Sequence, residues 1–145
     1  MDDYNLVGFV MKYTQIKRRI AAFYLKDKGL NTFESILLAI VYKKHECSQD
    51  KIGEITLSDG AIIARSLKKL EDHGFVFRYP DPSNGRKKIV KITETGEKFY
   101  DVIRNAFQKG NSTMFKGISF EEQKQLESIL EKVYKNLDNI EIPSK

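Results

Sequence analysis

Between Leu57 and Gly96 the chain reads LSDGAIIARSLKKLEDHGFVFRYPDPSNGRKKIVKITETG, and this segment constrains the fold more than any other. Ser58 or Asp59 can cap a helix that runs through His73, where Gly74 supplies the stop. Ile63, Leu67 and Leu70 recur at helical spacing as its buried side, leaving Arg65, Lys68 and Lys69 as a cationic face. Phe75 to Tyr79 alternates as a strand does, and Lys87 to Thr93 provides the return strand. Pro80 to Gly85 between them is turn chemistry, in which Asn84-Gly85 suits a hairpin needing positive φ. A helix with a cationic face, followed by a hairpin carrying Arg86, predicts a helix-turn-helix with a wing.

The flanks complete the unit. Ser48 is expected to cap a short helix to about Ile55, so that two helices joined by a tight turn precede the wing. Upstream, a helix starting at Asn31 or Thr32 runs to Lys44. Its stretch from Ile36 to Val41 is apolar nearly all round and should be buried. Leu6, Phe9, Tyr13, Ile16, Ile20 and Phe23 form one stripe on a first helix that Gly29 ends. Downstream, Thr93 or Thr95 caps a long helix bearing Phe99, Val102, Ile103, Ala106 and Phe107, which Gly110-Asn111-Ser112 is expected to kink or break. Ser119 and Glu122 form a capping box for a last helix striped by Leu126, Leu130, Val133, Leu137 and Ile140. The fold class is therefore mainly α (α+β). One domain spans 1–145, with a winged lobe over 30–94 carrying a two-stranded wing. The surplus apolar stripes of 1–29 and 95–142 suggest dimerisation helices.

The chemistry of this arrangement suits double-stranded DNA. A helix N-terminus lined by Gly60 and Ala61 can approach base edges or a phosphate closely, with Ser58, Asp59 and Ile62 around it. Arg65 is the best placed to bind guanine O6 and N7, with Ser66 and Lys69 beside it. Ser48 and Gln49 open the preceding helix. The wing offers Arg78, Asn84, Gly85, Arg86, Lys87 and Lys88, and a slim loop with an arginine suits the narrow, electronegative minor groove.

These residues carry a resemblance. Ser48-Gln49, Ile63-Ala64-Arg65, Leu70-Glu71-Asp72-His73-Gly74-Phe75-Val76, Arg78, Asp81 to Val90 and Ile92-Thr93-Glu94-Thr95-Gly96 follow a pattern similar to the MarR family of bacterial regulators. That pattern has leucine-glutamate, two residues, glycine, a hydrophobic strand and arginine. Its wing starts at Asp-Pro and ends Leu-Thr-x-x-Gly. The resemblance extends over the flanking helices. It implies a homodimer on a pseudo-palindromic operator, with one helix per subunit in the major groove and wings at adjacent minor grooves. It also implies a repressor released by a small aromatic or lipophilic effector. Tyr13, Phe33, Tyr42 and Phe107 could line such a ligand pocket, although core packing is the commoner use of such side chains. The chain departs from the pattern at Asn84-Gly85-Arg86, where acidic-Arg-Arg is usual, so Arg86 carries more of the wing's role. Ala64 stands where threonine is frequent, and Ile62 where a polar residue is usual.

Bulk properties permit this reading and exclude others. The 145 residues carry a net charge of +5, which a homodimer would double, an attraction for a polyanion. No apolar run is long enough to span a bilayer, and the acidic start MDDYNLVGFV lacks the order of a secretory signal. A cytoplasmic protein without membrane contact is expected. The single cysteine, Cys47, has no internal disulfide partner and is expected to serve as a packing residue. His45, Glu46 and Cys47 are too sparse for a metal site, and no catalytic constellation or phosphate loop occurs, so neither metal, cofactor nor enzymatic activity is expected. A winged module that binds a protein partner without sequence-specific DNA binding is the competing reading.

Overall fold

The computed structural model describes residues 5–143, which leaves the acidic Asp2-Asp3 start outside the described residues. Its elements are α1 (Leu6–Leu25), a 3-10 turn (Lys26–Lys28), α2 (Thr32–Lys44), β1 (Glu46–Ser48), α3 (Gln49–Thr56), α4 (Gly60–Asp72), β2 (Val76–Asp81), β3 (Asn84–Ile92), α5 (Glu94–Met114) and α6 (Phe120–Leu137). Two compact units result, one ending at Phe107 and one starting at Gln108.

Local chemistry sets the helix boundaries. Asn31 caps α2 through a full capping box: its side chain accepts from the Phe33 and Glu34 N–H groups, while the Glu34 carboxylate accepts the Asn31 N–H at 2.7 Å. Ser48 caps α3, and Asp59, not Ser58, caps α4 by accepting the Ile62 N–H at 2.9 Å. Gly29 and Gly74 take the left-handed conformation after α1's 3-10 extension and after α4. Ser119 and Glu122 form the expected box on α6.

The first unit is built around Leu37, Leu38 and Val41 of α2, Ile52 of α3, and Ile63, Leu67 and Leu70 of α4, all fully buried. Val76, Val90 and Ile92 close the core from the sheet, and Ala21, Leu25 and Ile103 from α1 and α5. Each such aliphatic side chain contributes about 1.5–3 kcal/mol by leaving water. The Thr-x-x-Gly ending of the wing has a clear physical role. The Thr93 hydroxyl donates to the Gly74 carbonyl at 2.5 Å and accepts the Gly96 N–H at 3.0 Å, while the Thr93 N–H donates to the Phe75 carbonyl. A Cβ on Gly96 would stand 2.0 Å from that same carbonyl oxygen, so only glycine lets α5 start against β2.

Several expectations need correction. The hairpin gains a third strand: β1 pairs antiparallel with β3, placing Cys47 opposite Val90, so the sheet order is β1-β3-β2. The wing turn is shorter than Pro80–Gly85. Its reversal is made at Pro82 and Ser83, held by Asp81, whose carboxylate accepts the Ser83 N–H at 2.8 Å and hydroxyl at 2.7 Å. Asn84 pairs with Asp81, while Gly85 lies in the register shift between that pair and Pro80–Lys88 and does not take positive φ. An Asx-type turn has replaced the Asn-Gly turn. Gly110-Asn111-Ser112 leaves α5 unbroken, with the Ser112 hydroxyl bonded back to the Gln108 carbonyl. In α2, Ile36 faces out, while Glu34 and Ser35 are buried.

In the second unit, α6 has no buried residue: Leu126, Ile129, Leu130, Val133 and Leu137 are all exposed. Within the first unit α1 buries Ala21 and Leu25 but leaves Leu6, Phe9, Ile16 and Phe23 uncovered.

Candidate nucleic-acid interface

The α3–α4 turn is tight because Gly53 sits at it: a Cβ there would lie 3.2 Å from the Ser58 carbonyl oxygen, and the Ser58 N–H bonds to Gly53. Leu57 passes through the left-handed region at φ 51 to make the bend. Gln49, Asp50, Gly53, Glu54, Leu57, Ser58 and Gly60 line an open cleft of about 450 Å³ at this turn. From it α4 emerges with Gly60, Ala61, Ile62 and Arg65 exposed, one helical turn deep.

The cations expected to meet DNA divide into two groups. Arg65, Arg86 and Lys88 are exposed and have no ion-pair partner among the described residues. Of the others, Lys69 and Arg78 are struts. Lys69 reaches back to the buried carboxylate of Glu34 at 3.4 Å and so ties α4 to the start of α2. Arg78 is half-buried against Glu71, whose carboxylate accepts both the Arg78 guanidinium at 2.8 Å and its backbone N–H at 3.1 Å. This clamp holds β2 to the end of α4, and the guanidinium keeps the Glu71 carboxyl below the usual range. Lys87 lies 3.4 Å from Asp50 of α3, an exposed pair that is worth little in stability and that a phosphate can displace.

Six of the residues expected at DNA have engagements within the chain. Ser66 is only 7% exposed and faces the core, because it follows Ile63 by three residues on the buried side. Lys69 and Arg78 are occupied within the chain. Gln49, half-buried beside the cleft, has its side-chain oxygen buried with no hydrogen-bond partner among the described residues. Ser48 and Ser58 spend their hydroxyls locally, on the Lys51 N–H and the Thr56 carbonyl. Asn84, Gly85, Lys87, Lys88 and Arg86 share the exposed wing edge with the turn. Sequence reasoning missed Glu34, Glu71 and Leu57. Glu71 stands seven residues before Arg78 across the glycine stop, a spacing that could have suggested the clamp; nothing marked Leu57.

The four aromatic residues expected at a ligand pocket fall into separate groups. Tyr13 and Phe107 share Lys17, whose ammonium lies 5.5 and 4.2 Å from their ring centres. Tyr42 packs on Tyr100 and donates its hydroxyl to Asp101 at 2.7 Å, which raises its pKa. Phe33 packs against the core. Cys47 also packs there, and burial pushes its thiol pKa up, away from the reactive thiolate.

A helix-turn-helix with a β-hairpin wing, with Arg65 and Arg86 turned outward, defines the class of winged-helix DNA-binding proteins. Comparison with known proteins refines this. The MarR family model matches residues 34–88. The uncharacterised helix-turn-helix-type transcriptional regulator YybA of Bacillus subtilis is 30% identical over 113 residues, 78% of this chain and 75% of its own. The helix-turn-helix-type transcriptional repressor IacR of Pseudomonas putida is 29% identical over 133 residues, 89% of this chain and 75% of its own. A crystal structure of MarR superposes with a TM-score of 0.80 at 22% identity, covering 96% of this chain and 95% of that one. A MarR mutant from E. coli complexed with operator DNA gives 0.67 at 22% identity, covering 88% and 92%. This chain belongs to the MarR family of helix-turn-helix transcriptional regulators. It is a regulator, not an enzyme, and among the described residues no helix is long and apolar enough to cross a membrane.

Proposed function

We propose that the protein is a homodimeric repressor of a pseudo-palindromic operator. Residues 30–94 form its DNA-binding lobe, and 1–29 and 95–142 supply the dimer contacts. The observation that carries the reading is that Arg65 and Arg86, on the two elements a winged helix offers to DNA, face outward with no ion-pair partner among the described residues. Arg65, behind Gly60 and Ala61, meets major-groove edges or the adjoining phosphates. Arg86 and Lys88, with Lys87 once freed from Asp50, meet the minor-groove side. The bare apolar faces of α1 and α6 support a dimer, since leaving so many large side chains in water is costly in a lone chain. The repressive sign follows the relative IacR, and DNA binding follows the operator complex of a MarR mutant.

Release by a small aromatic or lipophilic anion fits Lys17. A carboxylate or phenolate could take that ammonium while its ring replaces the contacts with Tyr13 or Phe107.

Gel shifts on fragments upstream of the protein's own gene test the reading. Discrete, salt-sensitive complexes are expected, together with a dimer by sedimentation. Arg86→Ala should weaken binding and reduce its salt dependence by about one phosphate contact. Diffuse complexes, or a monomer in dilute solution, would instead favour a winged module for protein partners.

A further inference from the structure

At the turn into α4 the polar side chains each make a local bond and large apolar ones are displayed. Asp59 is committed to the Ile62 N–H, Ser58 to the Thr56 carbonyl, and Ser66 to the interior. Outward beside the exposed Asp59 and Gly60 stand Leu57, Ala61 and Ile62, with Arg65 one turn further on. Leu57 is 94% exposed, Ile62 38%. Leu57 also holds a left-handed backbone that glycine would adopt without strain. Its side chain therefore gains neither burial nor conformation inside this chain. A leucine at that place has its use outside the chain.

We propose that Leu57, Ala61 and Ile62 form an apolar surface that reads thymine C5-methyl groups in the major groove, with Arg65 as the polar reader beside it. This rests on the DNA-binding reading above and adds to it a class of base. Thymine's methyl is the apolar group that base pairs offer in that groove, while the other major-groove features are donors and acceptors. The flanking charge favours this occupant over an apolar peptide: Arg65, Arg86 and Lys88 are cations on the same reading elements with no ion-pair partner among the described residues. Gly60 keeps the approach open, since even an added Cβ would meet no atom within 4 Å. The half-site under α4 is accordingly thymine-bearing.

The test uses the full-length protein and an operator duplex selected by it from genomic fragments. Each half-site thymine is replaced in turn by deoxyuridine, which deletes the methyl and keeps the base pairing. One or more replacements should weaken binding about fourfold each, the value of one buried methyl. Leu57→Gly should lower affinity for the thymine operator and shrink its preference over the uridine duplex, with an unchanged or raised melting temperature. Arg65→Ala should weaken both duplexes alike. Equal affinity of the wild-type protein for thymine and uridine operators overturns the proposal and leaves DNA binding standing. A lowered melting temperature in Leu57→Gly, with base preference intact, overturns it by making the leucine structural. Failure to form any discrete DNA complex overturns the underlying reading as well.

Discussion

The two ends of α4 use the same residue types for opposite purposes. At the far end Lys69 and Glu71 engage Glu34 and Arg78, and Leu67 and Leu70 are sealed in the core. At the near end Gly60, Ala61, Ile62 and Arg65 engage little of the chain itself. The first region fixes where the helix and the wing stand; the second is left free to meet something else. A cationic face on a helical wheel is thus not a contact list. Part of it is scaffold, and the partition depends on where acidic partners lie in other elements.

The largest expected effect lies at the anchored end. Gly96→Ala places a Cβ 2.0 Å from the Phe75 carbonyl oxygen, a backbone atom that can move only with the junction of β2 and α5. A loss of about 3 kcal/mol in denaturant unfolding is expected, with DNA binding failing only as folding fails. Chemical denaturation at constant m-value checks it.

Lys69→Ala and Arg65→Ala compare the ends directly. Removing Lys69 leaves the Glu34 carboxylate buried without its counter-charge, so stability should fall by about 1–3 kcal/mol while the salt slope of DNA binding holds. Removing Arg65 should spare the melting temperature and lower either affinity with the salt slope or discrimination at one base pair. If Lys69→Ala instead reduces the slope with stability intact, the partition of α4 is wrong.

How far the sequence disclosed this depends on the range of the signal. Caps and stripes are local, so Asn31, Ser48, Ser119 and the Ile63-Leu67-Leu70 face were legible, as was the order of helices and the hairpin. The third strand was not, since three residues such as Glu46–Ser48 have no periodicity and become a strand only through β3. Asn84-Gly85 signalled a turn that Asp81 and Ser83 made two residues earlier, because an Asx turn competes with an Asn-Gly turn for the same chain reversal. The ion pairs of Lys69 and Arg78 were not legible for a related reason: a cation's partner can lie in a distant element, as Glu34 does. Ser66 was misplaced by attention to its chemistry over its position on the wheel.

The Glu71–Arg78 clamp gives a pH signature. Its carboxyl pKa is lowered in the folded protein, chiefly by the hydrogen bond from Arg78. The clamp's stabilisation is therefore present above the ordinary carboxylate range and is lost as pH falls through the depressed folded value. Glu71→Gln should be less stable at neutral pH, by roughly 1 kcal/mol given the pair's partial exposure, and should lose less than wild type on acidification. Thermal melts at pH 7 and pH 3 measure the difference; parallel acid losses would deny the clamp its role.

The smallest effect on the fold should accompany a clear effect on function, at the free end. Gly60 has no positive φ, and a Cβ there meets nothing within 4 Å, so neither backbone nor packing demands glycine in the free protein. Gly60→Ala should therefore raise stability slightly, by less than about 1 kcal/mol, through reduced freedom of the unfolded chain. The same methyl stands at the start of α4, where a groove edge or phosphate must come close. A several-fold loss of operator affinity beside an unchanged or higher melting temperature is the expected pair of results. If affinity is retained, the helix start does not approach DNA closely, and Arg65 and the wing carry the contact from further out.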